Sequence, residues 1–337
     1  MRVLVLGGSH FVGRAAAEVA LDRGHHVTTC NRGISGQHVA GAEHLRVDRT
    51  DHAAFGAALD GQTWDAVVDT WSGAPIHAST AARLLGPRVG HYGYVSSRSV
   101  YTWPIMVGLD ETHPVIDADA NDATDDDYAK AKRGGELGVL HAKPEALIAR
   151  AGLILGPYED VGRLPWWLRR LTRGGDVLAP GPREMPLQYV DARDLARWMV
   201  SCAEQNVGGV MNAVGPAGHT TMGELLEVAR ATVQSTAMLV WVTPEEIAAA
   251  GIAPWTELPI WVPPTGELAG LHNCDVSAAT RTGLQCRPIH ETIADTWAWL
   301  EAEGSPQQRD DRPAHGLDAQ REVAVIAAHR SAHDSRE

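Results

Sequence analysis

The sequence predicts an α/β protein, a doubly wound parallel sheet with a smaller C-terminal substrate-binding subdomain. Short apolar runs alternate with segments of helical periodicity over residues 1–155, the pattern of a parallel sheet with helices on both faces. The first run, residues 3–6, ends at Gly7 and Gly8, and apolar side chains recur at helical spacing from Phe11. A chain of 337 residues is long enough for one large α/β unit or for two domains.

Composition limits the kinds of partner. A formal net charge of −13 argues against a nucleic-acid-binding surface, and no apolar run approaches the ~20 residues of a membrane span. Because the first strand begins at the N-terminus, we expect no signal peptide. The cysteines lack CxxC spacing, so we expect reduced thiols, a cytoplasmic location and no metal site. They are Cys30, Cys202, Cys274 and Cys286.

The elements follow in order along the chain. Strands of the sheet are expected at residues 3–6, 26–30, 43–47, 65–69, 90–97 and 146–151, with helices starting near residues 11, 51, 75 and 128. Beyond residue 157, helices are expected at 166–171, 192–203, 221–233 and 291–300, and strands at 187–190, 210–214 and 239–242. Residues 253–273, rich in Pro and Trp, predict an irregular wall. Residues 108–127 are acidic without EF-hand alternation, so we expect a solvated or substrate-covering loop rather than a calcium site.

The glycine turn after the first strand predicts a phosphate-binding site. A helix that starts at such a turn presents backbone N–H groups and the positive end of its dipole to a pyrophosphate. Ligands of doubly wound sheets lie outside the carboxyl ends of the strands, so Thr70 and Trp71 should pass over the ligand. Asp48 follows the third strand and could contact an adenine or cap the next helix. A tight turn without a ligand is the alternative interpretation.

The residues after the second strand predict which dinucleotide binds. An acid at this place accepts hydrogen bonds from the ribose 2′-hydroxyl of NAD, but this chain has Asn31 and Arg32. An arginine can pair with the 2′-phosphate of NADP. We therefore favour NADP over NAD, which stays possible; the alternative is that Arg32 is a solvated loop charge.

Tyr128 and Lys132 lie four residues apart on one predicted helix and so share a face. A tyrosine is a poor base at neutral pH, but an ammonium one turn away favours the phenolate. Such a pair can exchange a proton with a carbonyl or alcohol oxygen, and Ser97 at the end of the fifth strand can hydrogen-bond the same oxygen. Spacing alone is a weak signal for this pair; the glycine turn and the strand ending in serines strengthen it.

Several sequence blocks resemble the short-chain dehydrogenase/reductases, in particular the extended and atypical branch of NAD-dependent epimerases and dehydratases. The blocks are residues 7–13, 94–101, 128–132 with Glu136, 156–157 and 188–196. The resemblance covers residues 1 to about 302 and implies a Rossmann domain. It implies that Tyr128 is the catalytic acid/base and that Lys132 is its partner, which also contacts the nicotinamide ribose. Ser97 would be the third member of the catalytic triad.

The resemblance also implies binding residues. Cofactor contacts are expected at Gly7, Ser9, His10, Phe11, Val12, Gly13, Asn31, Arg32, Asp48, Thr70, Trp71, Ser96 and Leu153. Substrate contacts are expected at Arg98, Trp103, Trp166, Trp167 and Gln188. The tryptophans could line an apolar pocket or serve as packing. For partners, we expect a small-molecule substrate, no nucleic acid and no membrane, with a homodimer expected from the family alone.

The sequence departs from the family pattern at three places. His10 replaces the middle glycine of the Gly-x-x-Gly-x-x-Gly turn. The 4,6-dehydratases have Thr-Asp-Glu at residues 97–99, where this chain has Ser-Arg-Ser, so we discount dehydratase activity. Nucleotide-sugar enzymes have an asparagine at the position of Leu153, and its absence disfavours a nucleotide sugar.

These features lead to three ranked hypotheses. The first is an NADP(H)-dependent reductase or dehydrogenase that transfers a hydride to or from a carbonyl or alcohol of a small or natural-product-like substrate. The second is an NAD(P)-dependent epimerase of a sugar or nucleotide sugar, and the third is a non-catalytic NAD(P)- or RNA-binding member. The dinucleotide domain is expected over residues 1–156, with 184–215 returning to it. A cap is expected over 157–183 and 216–303. Residues 304–337 should form a peripheral arm with a helix over 320–329. This arm could dock on a neighbouring molecule.

Overall fold

The structure is a computed structural model that describes residues 1–34, 37–304 and 315–334. The strands, numbered in chain order, are β1 (Arg2–Leu6), β2 (His26–Asn31), β3 (Glu43–Arg46), β4 (Ala66–Asp69), β5 (His91–Ser97), β6 (Leu147–Ala151), β7 (Leu153–Leu155), β8 (Asp176–Pro180), β9 (Pro186–Leu187), β10 (Tyr189–Asp191), β11 (Gly209–Ala213), β12 (Thr220–Thr221), β13 (Met238–Val242), β14 (Pro254–Trp255) and β15 (Leu258–Pro259). The helices are α1 (Phe11–Asp22), α2 (His52–Ala58), α3 (Pro75–Leu85), α4 (Tyr128–Ala142), α5 (Arg163–Thr172), α6 (Ala192–Gln205), α7 (Met222–Thr232), α8 (Pro244–Ala249), α9 (Ser277–Arg281), α10 (Ile289–Glu303) and α11 (Ala319–Asp334). Short 3-10 helices span Gly86–Arg88 and Arg98–Val100.

The described residues form a seven-stranded parallel sheet in the order β3-β2-β1-β4-β5-β6-β11. The chain order reverses at β1, with β2 on one side and β4 on the other. This arrangement confirms the predicted doubly wound parallel sheet. In such a sheet the ligand cleft opens at the carboxyl ends of the strands, next to the point of reversal.

Alternation along β1 explains why the sheet is covered on both faces. Val3 and Val5 face a core shared with α1 and α6, whereas Leu4 and Leu6 face a core that includes α2, α3 and α4 side chains. Because successive strand residues point to opposite faces, both sets are buried, as expected for a strand between two helical layers.

A second apolar core lies beyond the sheet. It joins Leu153 and Leu155 of β7 to Trp167 of α5 and to buried side chains of α7 and α10. Short paired strands, β8 with β13 and β9 with β12, border this core. In the described part of the chain, no helix has the length and apolar character needed to cross a membrane.

The structure corrects one strand prediction. The expected strand at residues 187–190 is divided at Gln188: β9 pairs with β12 antiparallel, and β10 pairs with β7 parallel. Gln188 leaves both ladders because its backbone N–H donates to His272 Nδ1 at 3.2 Å and its amide bonds to the backbone of Gly215 and Cys274. Residues 153–155 form β7, which lies outside the seven-stranded sheet and pairs with β10.

The acidic loop lies partly over α3. The Ala120 carbonyl accepts a hydrogen bond from Ser79 Oγ at 2.6 Å, and the Asp122 carbonyl accepts one from the Ile76 N–H at 3.0 Å. Several of its aspartates bond the backbone N–H two residues later, as solvated turn residues do. They are Asp110, Asp119, Asp122 and Asp127. The middle of the loop is therefore anchored on α3.

The C-terminal arm packs on the chain's own cap. Glu322 of α11 pairs with Arg170 Nε of α5 at 2.7 Å and accepts the Leu178 N–H at 3.1 Å. Leu317 and Ile326 are buried in the cap core. These contacts of α11 are made within the chain, and docking of the arm on a neighbouring molecule stays a prediction. The rest of the predicted arm, residues 305–314 and 335–337, lies outside the described residues.

Candidate functional site

The glycine turn after β1 is built for close approach. Gly7 and Gly8 have φ values of +120° and +91°, a region that favours glycine. A Cβ on Gly7 would lie 2.6 Å from Thr70 Oγ1, and one on Gly13 would lie 2.7 Å from the Gly8 nitrogen. Thr70 Oγ1 in turn donates to the Leu6 carbonyl at 3.0 Å. The turn therefore presents bare backbone at the head of α1, as a dinucleotide pyrophosphate requires.

The start of α1 leaves its backbone donors for a ligand. His10 occupies the N-cap position and is exposed, and within the described residues its side chain makes no capping hydrogen bond. Phe11 has a positive φ of 41°, whereas Ser9 and Val12 are buried against the body of the domain. Where the family has the middle glycine of the turn, this chain therefore has the exposed imidazole of His10, beside the N–H groups that would face a phosphate.

The end of β2 is tied to the glycine turn by Asn31. Its Nδ2 donates to the Gly7 carbonyl at 2.8 Å, and its Oδ1 accepts the Gly33 N–H at 2.9 Å and lies 2.9 Å from His44 Nε2. Both ends of the amide are used in these contacts. Asn31 therefore positions the turn and the following loop.

Two arginines lie beside this loop. Arg32 is exposed, and its carbonyl accepts a hydrogen bond from Arg46 Nε at 3.1 Å. Asp48 bonds the Thr50 N–H and hydroxyl, and these bonds, with the charge of Arg32, lower the pKa of its carboxyl against the effect of burial. The sequence does not indicate Arg46, because its place beside Arg32 depends on the β2–β3 pairing, in which Arg46 lies opposite Asn31.

A buried ion pair holds the end of β4. Asp69 accepts hydrogen bonds from Arg49 at 2.6 and 2.9 Å, from Tyr92 Oη at 2.8 Å and from the Trp71 N–H at 3.0 Å. Burial alone would raise the pKa of the Asp69 carboxyl, but the Arg49 charge and these hydrogen bonds outweigh it and lower the pKa. Trp71 is thereby fixed next to Thr70 and the glycine turn.

Lys132 lies beneath the same edge of the sheet. Its side chain is only 2% exposed, and its Nζ donates to the carbonyls of Trp71 at 2.5 Å and Val95 at 2.7 Å. Tyr128, the first residue of α4, is 37% exposed. One turn of helix thus separates a buried ammonium at the ends of β4 and β5 from a phenol at the surface of the cleft.

The serines at the end of β5 have different environments. Ser97 Oγ accepts hydrogen bonds from the Ser99 N–H at 3.2 Å and the Ser99 hydroxyl at 3.0 Å, which leaves its own proton for another acceptor. Ser96 is buried, and its Oγ donates to Glu136 Oε1 at 2.7 Å. The Ser96 hydroxyl therefore belongs to a buried network, and the cofactor contact of Ser96 stays a prediction.

Glu136 is the centre of that network. Its carboxylate is fully buried and accepts two hydrogen bonds from Arg150, both at 2.9 Å, and one from Arg133 at 2.9 Å. Arg150 also lies over the Tyr101 ring, 4.8 Å from its centroid. The network ties the helix that carries Tyr128 and Lys132 to β5 and β6.

Most predicted substrate residues are used in packing. Gln188 is fully buried, and its Oε1 accepts bonds from Arg98 Nη1 and the Cys274 N–H. Arg98 also bonds the Leu271 carbonyl. Neighbouring His272 donates through Nε2 to Ile260, and burial lowers its pKa to about 4, so it is neutral. The Gln188 side chain is thus bonded within the chain, and its contact with a substrate stays a prediction.

The remaining predicted residues divide by exposure. Trp167 lies wholly inside the cap core, with its indole N–H donating to the Pro259 carbonyl at 2.8 Å, so it has no face for a substrate. Trp166 lies against Gly316 at the start of the arm. Leu153 is buried in the cap core, whereas Trp103 is 56% exposed. The tryptophans therefore serve mainly as packing, which the sequence pattern left undecided.

Solved structures share this fold. WbmH of Bordetella bronchiseptica, in complex with NAD⁺, aligns with 90% of this chain and 99% of its own at 18% identity, with a TM-score of 0.69. The UDP-glucose 4-epimerase of Thermotoga maritima aligns with 90% of this chain and 99% of its own (17% identity, TM-score 0.64). The UDP-Glc/GlcNAc 4-epimerase of Campylobacter jejuni aligns with 89% and 99% (12% identity, TM-score 0.67). These likenesses establish the fold.

Among curated proteins, none matches this chain in sequence. The family model for the NAD dependent epimerase/dehydratase family matches residues 3–214, more than half of the chain. The matched region contains the glycine turn, Ser97, Tyr128 and Lys132. The chain therefore belongs to the NAD-dependent epimerase/dehydratase family.

Proposed function

We propose that this protein is an NAD(P)-dependent epimerase. It would take a hydride from a secondary alcohol carbon of a sugar-like substrate and return it to the opposite face of the same carbon. The observation that carries the proposal is the position of Tyr128, one turn from buried Lys132 at the sheet edge beside the glycine turn. The 4-epimerases among the similar structures support hydride return over net oxidation.

The chain's own residues would move the proton. A bound nicotinamide would supply the acceptor and donor of the hydride. Tyr128 would accept the proton of the substrate hydroxyl and later give it back, while the Lys132 ammonium stabilises negative charge on the phenol oxygen. Ser97, whose proton is not used by Ser99, would hydrogen-bond the same substrate oxygen.

The path of the hydride tests the proposal. The purified protein is denatured, and the released nucleotide is identified; we expect a co-purified NAD(P). UDP-glucose with deuterium at C4 and a non-nucleotide sugar with deuterium at each secondary carbon are then used as probes. An epimerase keeps the label in the epimeric product, with no net absorbance change at 340 nm. Label that accumulates in free NAD(P)H would contradict the proposal.

A net oxidoreductase is the second candidate, and Leu153 is the observation that favours it. Leu153 stands where nucleotide-sugar enzymes of the family have an asparagine, and it is buried in the apolar cap core. A small or natural-product-like substrate fits this less polar environment better than a sugar nucleotide. This candidate predicts stoichiometric oxidation or reduction of added cofactor, the result that would overturn the epimerase.

NADP preference is part of the proposal for the cofactor and is tested at Arg32. Replacing Arg32 with Ala should weaken NADPH binding about 10- to 100-fold, the worth of a charge-assisted hydrogen bond, because a guanidinium pairs with the 2′-phosphate. NADH binding should change less than about twofold, since that phosphate is missing. Calorimetric titration of both nucleotides measures the difference.

The matched control for this measurement is Arg281→Ala. Arg281 is exposed on α9, which contacts the edge strand β11, and four strands of the sheet separate β11 from β2. Its removal subtracts a positive charge without touching the loop after β2. Equal losses of NADPH and NADH affinity in Arg32→Ala would rule out recognition of a 2′-phosphate by this residue.

A further inference from the structure

The C-terminal helix α11 carries a cluster of metal-type ligands that the hydride-transfer site does not use. His329 and His333 lie four residues apart and so on one face of α11, and Glu246 of α8 faces them. His329 Nδ1 lies 3.0 Å from both carboxylate oxygens of Glu246, and His333 Nδ1 lies 4.0 Å from Oε1. One ligand atom from each residue lies within 4.8 Å of the others.

We propose that Glu246, His329 and His333 form a binding site for a zinc-type divalent cation that fastens the end of α11 to α8. Two imidazoles and a carboxylate are the donor set of open zinc sites, in which water completes a tetrahedron. Ligand atoms of a tetrahedral zinc ion lie about 3.3–3.5 Å apart, as its ~2.0–2.1 Å bonds require. Small rotations of these side chains therefore suffice to close the site.

The surroundings of the three ligands fit this role. The Glu246 carboxylate is half-buried, and its Oε2 accepts hydrogen bonds from the Thr243 N–H at 3.0 Å and the Thr243 hydroxyl at 2.9 Å. His333 Nδ1, the atom that lies 4.0 Å from Glu246 Oε1, also donates to the His329 carbonyl at 2.8 Å, and a metal bound at Nδ1 would replace this bond. His333 is exposed, which leaves room for water.

The site joins two elements that the main chain connects only over a long distance. Glu246 also takes part in the capping box of α8 with Thr243, so its position is fixed before any metal binds. The first half of α11 is already held by the buried pair of Glu322 with Arg170. A metal at His329 and His333 would hold the second half.

Zinc binding to the full-length chain without an affinity tag tests the proposal. The protein is stripped with EDTA and titrated with zinc chloride by calorimetry, and hydrogen exchange of residues 319–334 is measured with and without zinc. We expect one zinc ion per chain and slower exchange in α11. His333→Ala, which removes an exposed ligand, should weaken binding at least about tenfold, and His329→Ala/His333→Ala should abolish it.

The matched control is His290→Ala, the removal of an exposed histidine from α10. It should bind zinc as the unmodified protein does, which separates the site from general binding to surface imidazoles. Equal zinc binding by the unmodified protein and the double variant would overturn the proposal. So would zinc binding that leaves exchange in α11 unchanged, because the ion would then not fasten the helix.

Discussion

Replacing Tyr128 with Phe should lower turnover about 100- to 10,000-fold while cofactor affinity changes little. The range is that of a lost general acid–base group. The phenylalanine keeps the ring at the start of α4 and removes only the hydroxyl that would exchange the proton. Lys132 keeps its bonds to the carbonyls of Trp71 and Val95, so the floor of the cleft should stay in place. Turnover and NAD(P)H binding are measured on the same preparation.

The control for this experiment is Tyr158→Phe. Tyr158 packs against Arg14 of α1, whose guanidinium lies 4.0 Å from the centre of its ring, and against Trp299. Its hydroxyl has no part in the proposed proton transfer, so its loss should leave turnover near normal. If Tyr128→Phe also kept near-normal turnover, Tyr128 would not be the acid/base.

Replacing Glu136 with Gln should lower the free energy of unfolding by about 3–5 kcal/mol. This is the usual cost of breaking a buried ion pair by removing one partner. The amide keeps the size of the side chain, but the guanidinium of buried Arg150 loses its counter-charge, and Ser96 loses an ionised acceptor. Chemical denaturation followed by circular dichroism measures the change.

Two further variants separate charge from packing. Glu301→Gln removes an exposed carboxylate from α10 and should change stability by less than about 0.5 kcal/mol. The pair Glu136→Gln/Arg150→Met should be more stable than Glu136→Gln alone, since no guanidinium then stays buried at position 150. A loss below about 1 kcal/mol in Glu136→Gln would show that the buried pair is not needed for stability.

The sheet was predictable because its signals are local. An apolar run such as residues 3–6, followed by Gly7 and a helical pattern, predicts a strand, a tight turn and a helix. The structure has this arrangement in β1 and α1. Predicted strand bounds in the sheet differ from the observed ones by no more than about one residue. The Tyr128–Lys132 spacing placed both residues on one helix, and the sheet order brings that helix to the edge beside Gly7.

Long-range partners were not predictable in the same way. Nothing local indicates that Ser96 points to Glu136 while Ser97 stays at the surface; the alternation of a strand decides it, and the partner is forty residues away. Trp167 and Gln188 were expected to contact a substrate. In the structure Trp167 is buried in the cap core, and Gln188 accepts a hydrogen bond from the Cys274 N–H. The cluster of Glu246, His329 and His333 was not predictable from the sequence, because Glu246 is far from the two histidines along the chain.

Helix α11 lies beyond the part of the chain that resembles the family by sequence, yet it supplies the counter-ion of Arg170 and covers aliphatic side chains of the cap. A gene fragment cut where the similarity stops would leave that guanidinium without its anion and the apolar surface bare. The homology boundary and the boundary of the stable folding unit are therefore different places in this protein. Truncated and fused proteins should therefore keep α11, so that they end at the boundary of the stable folding unit.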